Sequence, residues 1–167
     1  MKKILSICVI FLFALMSCNS GSSNKTTTSD STVVSPDTTH ASMNMTVESP
    51  LPEIPADASV SFKNLKDGET VTSPVKVEMS ATGISVDSAG AVKPNSGHFH
   101  ILIDAEDSIP AGVVVAKDSS HLHYGNAQHE ATLDLPTGKH KLTLQFADGA
   151  HRSYGSKLSS VVNVNVK

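Results

Sequence analysis

The sequence predicts an all-β fold, an immunoglobulin-like antiparallel β-sandwich of about seven to eight short strands. Three observations carry that prediction. Apolar residues alternate with polar ones in several short runs, the period of a half-buried strand. Turn-forming pairs separate those runs about every ten residues. No window holds a helical period, and the composition, rich in Ser, Thr, Val, Ala and Gly with 4% aromatic residues and no Trp, suits a thin sandwich better than a helix bundle.

The elements follow in order from residue 58. Val60 and Phe62 alternate with Ser59, Ser61 and Lys63, a first strand. Asp67-Gly68 is a turn. Val71, Val75, Val77 and Met79 continue the period of two, with Pro74 expected at a strand start or edge because it cannot donate to a ladder. Residues 83–96 read as a loop. His98-Phe-His-Ile-Leu-Ile-Asp104 is a strong strand, and 109–120 a loop with a short apolar run at Val113 to Val115. His121-Leu-His-Tyr124 is a short strand. Ala131, Leu133 and Leu135 alternate up to Pro136, Thr137-Gly138 turns, and Leu142, Leu144 and Phe146 alternate up to Asp148-Gly149. Val161 to Val166 closes the domain. The alternation implies one solvated face per sheet.

Ahead of the domain lie two segments of different composition. Lys2-Lys3 is a short positive region, and Ile4 to Met16 is apolar and too short to cross a bilayer, which takes about 20 residues. The run ends in Leu15-Met16-Ser17-Cys18, with Leu three positions before Cys and a small residue directly before it. Residues 1–17 are therefore expected to be a lipoprotein signal peptide, with Cys18 the lipidated residue. Its acyl chains exceed the two-signal threshold for stable anchoring, so the expected location is the cell envelope, at a periplasmic-facing or outer membrane. Residues 18–57 are expected to be a tether. Asn19 to Ser35 is nearly all small and polar, and cannot bury enough apolar surface to offset its ordering entropy. Pro36, Pro50, Pro52 and Pro55 stiffen the rest. His40, Met43 and Met45 fall within this polar linker.

The two cysteines are Cys8, which leaves with the leader, and Cys18. The folded part thus has no disulfide, no thiolate nucleophile and no sulfur ligand of the blue-copper kind. The net charge of −3 lacks the basic footprint of a nucleic-acid binder, so nucleic acid is excluded as a partner. The expected partners are the membrane, through the anchor, and envelope proteins of unknown identity.

Seven of the eight histidines lie in the domain, and four of them form His-x-His pairs on predicted strands. Residues i and i+2 of a strand share a face, so His98 projects beside His100, and His121 beside His123. If the strands are neighbours, about 4.8 Å apart, four imidazoles can meet around one ion. Phe99 and Leu122 then point into the core and fix the register. Neutral imidazoles suit copper or zinc, the expected cofactor. His129 and His151 are further candidate ligands, and Asp104 is a candidate carboxylate to orient a ligand ring from behind. His140, in Leu135-Pro-Thr-Gly-Lys-His140-Lys-Leu142, reads as structural: a ring that caps a turn and bonds backbone upstream, as in a tyrosine corner.

The motif order Gly97-His-Phe-His-Ile-Leu-Ile-Asp104, His121-Leu-His-Tyr-Gly125, Glu130-Ala-Thr-Leu-Asp-Leu-Pro-Thr-Gly-Lys-His140, Leu142-Thr-Leu144 and His151 resembles the DUF4399 family of bacterial envelope proteins. The resemblance covers residues 95–167. It implies a small secreted β domain and carries no enzyme activity with it. In that family position 129 is commonly Thr, and the region of His151 is often longer and Pro-rich with further His, so this chain departs from the pattern at both places.

The leading expectation is an envelope metal-binding protein, a carrier or buffer. The alternative is a non-enzymatic structural or interaction module of the envelope in which the histidines pack or titrate. An enzyme is not expected: there is no HExxH helix, no nucleophile elbow and no convincing general-base carboxylate.

Overall fold

The computed structural model describes residues 49–167; the leader, Cys18 and the tether up to residue 48 lie outside them. Nine strands run in chain order: β1 (Ser59–Phe62), β2 (Glu69–Val71), β3 (Val75–Thr82), β4 (Ser85–Val86), β5 (Ser96–Ile103), β6 (His121–Tyr124), β7 (Glu130–Leu133), β8 (Gly138–Ala147) and β9 (Ser159–Val166). The only helical element among the described residues is a 3₁₀ turn, Gly155–Leu158. No described helix is long and apolar enough to cross a membrane.

The strands form two sheets. One has the order β1-β3-β7; the other has the order β2-β9-β8-β5-β4, with β6 also paired to β5. The apolar alternation read from the sequence forms the core they share. Val60, Phe62, Val75, Val77, Met79 and Leu133 come from the small sheet, and Phe99, Ile101, Leu142, Leu144, Phe146, Val162, Val164 and Val166 from the large one. Pro74 immediately precedes β3, where no ladder N–H is required of it. Tyr154, after the last turn of β8, donates its hydroxyl to the Ser96 carbonyl at 2.8 Å and fixes the start of β5.

Three expectations need correction. The strand count is nine, and the sheets are not purely antiparallel: β2 pairs parallel with β9, and β4 parallel with β5. These partners are two- and three-residue edge pieces, too short for alternation to reveal. Nor is each sheet wet on one face. Seven of the eight β5 residues are buried, because the segments 105–115 and 148–153 fold over the back of the large sheet. Leu102, Ile109, Val115 and Ala147 make a second small apolar cluster there. Gln145, wholly buried, accepts from Ile109 N at 2.9 Å and donates to the Gly155 and Leu158 carbonyls. Finally, packing begins before residue 58: Leu51 and Ile54 lie against the core, Arg152 donates to the Ser49 carbonyl, and Lys157 Nζ to the Ala56 carbonyl at 2.6 Å.

Candidate metal centre

The register of the large sheet builds the site. Phe99 and Ile101 enter the main core, so His98, His100 and Leu102 face the other side of β5. β6 pairs antiparallel with β5, setting His100 opposite His123 and Leu102 opposite His121. Residues directly opposite share a face, so His123 joins His98 and His100 there, while Phe99 and Leu122 pack with the core. This is the neighbour relation on which the sequence reading depended.

The fourth ring comes from the loop after β8. Asp148 Oδ1 accepts from Ala150 N and Arg152 N, both at 2.9 Å. Asp148 Oδ2 accepts from Arg152 Nε at 2.8 Å and lies 2.7 Å from Nη2. His151 N donates to the Asp148 carbonyl at 2.9 Å, and the His151 carbonyl accepts from Val115 N at 2.9 Å. The clip holds His151 at φ +67°, a left-handed conformation in which non-glycine residues are uncommon. Its imidazole thereby reaches the other three.

The four rings are mutually close. All six centroid separations fall between 4.8 and 5.9 Å. His98 Nε2 lies 3.1 Å from His100 Nε2, and His123 Nε2 lies 3.1 Å from His151 Nε2. Ligand atoms of His98, His100 and His123 all sit within 4.8 Å of one another. A tetrahedral ion with metal–nitrogen bonds of about 2.0–2.1 Å sets its ligand nitrogens about 3.3–3.4 Å apart, so small shifts would admit one.

The electrostatics favour neutral rings. His98 and His100 are wholly buried. Burial first, then the neighbouring histidines, pushes His98 down to about 4 and His100 down to about 2. His123 is lowered too, by burial and then by His151 and Lys117. Neutral imidazole is the form that binds a transition metal. The Nδ1 atoms of His98 and His100 are buried with no partner. A neutral ring has one donor and one acceptor, so the single contact between these two rings leaves each with an unmet group, a cost of about 1–3 kcal/mol apiece.

The remaining candidates lie elsewhere. His121 shares the face but is held away by carboxylates: Nδ1 is 2.9 Å from Asp118 Oδ1 and Nε2 is 3.3 Å from Glu106 Oε2. His129 is exposed at the junction of β3 and β7, near Met79 O and the Phe99 ring. Asp104 orients no ring of the cluster; its Oδ2 is 2.7 Å from His140 Nδ1. His140 Nε2 donates to the Pro136 carbonyl at 2.9 Å, the upstream backbone bond expected of its corner. Two supporting features went unread in the sequence. Gly125 leaves room for the His123 ring, since a Cβ there would lie 2.3 Å from its Cε1 and Nε2. The Asp148–Arg152 clip was signalled only by the Asp-Gly turn.

A family model described as Domain of unknown function (DUF4399) matches residues 77–167, a span that includes all four clustered histidines. No curated protein and no solved structure matches the chain.

Proposed function

The chain belongs to the DUF4399 family, a domain of unknown function, and from that premise we propose that it is a non-enzymatic envelope lipoprotein whose β domain holds one transition-metal ion. The ion is copper or zinc, the ligands are His98, His100, His123 and His151, and the role is that of a carrier or buffer. Cys18 carries the lipid anchor, and the two sheets correspond to an immunoglobulin-like sandwich.

One observation carries the metal reading: the fold brings four imidazoles together, two of them wholly buried, with His98 Nε2 3.1 Å from His100 Nε2 and His123 Nε2 3.1 Å from His151 Nε2. An ion at their centre would accept a lone pair from the Nε2 atom of each ring. The ligand set has no carboxylate and no thiolate, which favours borderline ions over Ca²⁺ or Mg²⁺.

The test uses the chain from residue 18 onward, with Cys18→Ser to prevent lipidation and no histidine tag, dialysed against equimolar copper, zinc and nickel. Mass spectrometry should find about one ion per chain. The His98→Ala/His100→Ala double variant should lose it, and His121→Ala and His129→Ala should keep it. No retained metal in the parent protein would refute the reading.

A further inference from the structure

We propose that the ion's fourth coordination position, the one His151 occupies, is exchangeable, and that a nitrogen or sulfur donor of a metal-accepting protein takes it during transfer. The inference rests on the metal reading above and adds which ligand leaves and what replaces it.

The four rings are not equivalent in how the fold holds them. His98 and His100 are wholly buried and stand on β5, which is laddered to β8 along one side and to β6 along His100. His123 stands on β6, in the same ladder. The backbone of each of the three is fixed by sheet hydrogen bonds. His151 belongs to no strand. It rides on the 148–152 turn, half-buried, and its backbone is tied by two hydrogen bonds, to Asp148 O and from Val115 N. Its φ of +67° is the only left-handed backbone among the four. Residues held in such conformations cluster where a ligand is clamped or switched.

Metal sites that keep one position open to an outside ligand differ in this way from closed structural sites. Here three ligands come from rigid ladder and the fourth from a turn at the solvent edge. The exchange step is simple: the bond from the ion to the His151 imidazole breaks, and a bond to the incoming donor's lone pair forms. Three protein nitrogens stay bound and no electrons change hands.

Free imidazole can stand in for the incoming donor. His151→Gly removes the ring while glycine keeps the left-handed backbone without strain. Copper(II), the divalent ion such a nitrogen set binds most tightly, reports its ligand number by visible and electron paramagnetic resonance spectra. His151→Gly should retain one copper per chain with a spectrum showing one fewer nitrogen, and millimolar imidazole should restore the wild-type spectrum saturably. His98→Ala should not be restored, because its vacancy is sealed from solvent. Three outcomes count against the ideas, and they separate. A wild-type chain that holds no copper sinks the metal site itself. A wild-type chain that holds copper, with a His151→Gly spectrum unchanged or unresponsive to imidazole, overturns the exchangeable position and leaves the site standing. Equal rescue of His98→Ala also overturns it.

Discussion

His140 sets Nδ1 2.7 Å from a carboxylate oxygen of Asp104 and Nε2 2.9 Å from the Pro136 carbonyl. Neither oxygen can donate, so the two contacts together favour the doubly protonated ring. His121 is likewise bracketed by Asp118 and Glu106. The hydrogen bond to Asp104 raises His140 above the ordinary histidine value, and the one to Asp118 raises His121, while burial drives His98 and His100 the other way. The signs of the pH dependence are therefore opposite. A raised histidine contributes stability that is fully present below pH about 6.5 and lost as pH climbs through its folded value. Denaturation of His140→Gln beside the wild type should show a deficit that is largest near pH 6 and shrinks toward pH 9. A lowered histidine contributes stability present above pH about 6.5 and lost as pH falls, because the unfolded chain takes up a proton the folded one refuses. Metal-free protein should thus lose stability from pH 6.5 toward 4 by about 1.4 kcal/mol per pH unit for each such ring. A flat profile over that range would contradict neutral, buried rings.

At the scale of elements, β5 is the strand on which the molecule turns. Its front face meets the main core through Phe99 and Ile101, and its back face carries His98, His100 and Leu102 under the covering loops. A polar residue at every second position normally signals a wet face; here it signals a built polar interior. β6 contributes its histidine only because Gly125 follows closely. Gly125→Ala would press a methyl group into the His123 ring and move it off the cluster. The expected result is a folded protein with metal affinity lowered about 10- to 100-fold, the usual range for displaced support around a ligand, read by competition with a chromophoric chelator. Unaltered affinity would show that His123 is not a ligand.

For the whole molecule, the cluster ties together pieces distant in sequence: β5, β6 and the loop after β8. An ion that binds only when all three are assembled stabilises the fold by mass action, by about 2.7 kcal/mol at a free concentration a hundred times its dissociation constant. For a domain of this size that corresponds to a rise in Tm of about 10 °C. A thermal melt with and without zinc should show the rise in the wild type and none in His98→Ala/His100→Ala. The same melts should show a lower Tm when residues 49–57 are removed, since Leu51 and Ile54 pack on the core.

What the sequence determined by itself was local: the β class, most strand positions, and the pairing of His98 with His100 on one face. Each follows from a period of two or from turn chemistry, which neighbours in the chain specify alone. The corner role of His140 was legible for the same reason, its partner Pro136 being four residues away. The tertiary structure decided what depends on distant partners. His121 and His123 look alike in sequence, yet Asp118 and Glu106 hold one ring away while Gly125 makes room for the other to join the cluster. His151, in a loop with no periodicity to read, reaches the site because the Asp148–Arg152 clip sets a left-handed backbone there. The covered back face of β5 was equally invisible, because the loops that cover it have no periodicity to read and bond it through Gln145 and Thr143. Strand spacing offers imidazoles to a face; only the closing of loops over that face selects which of them meet.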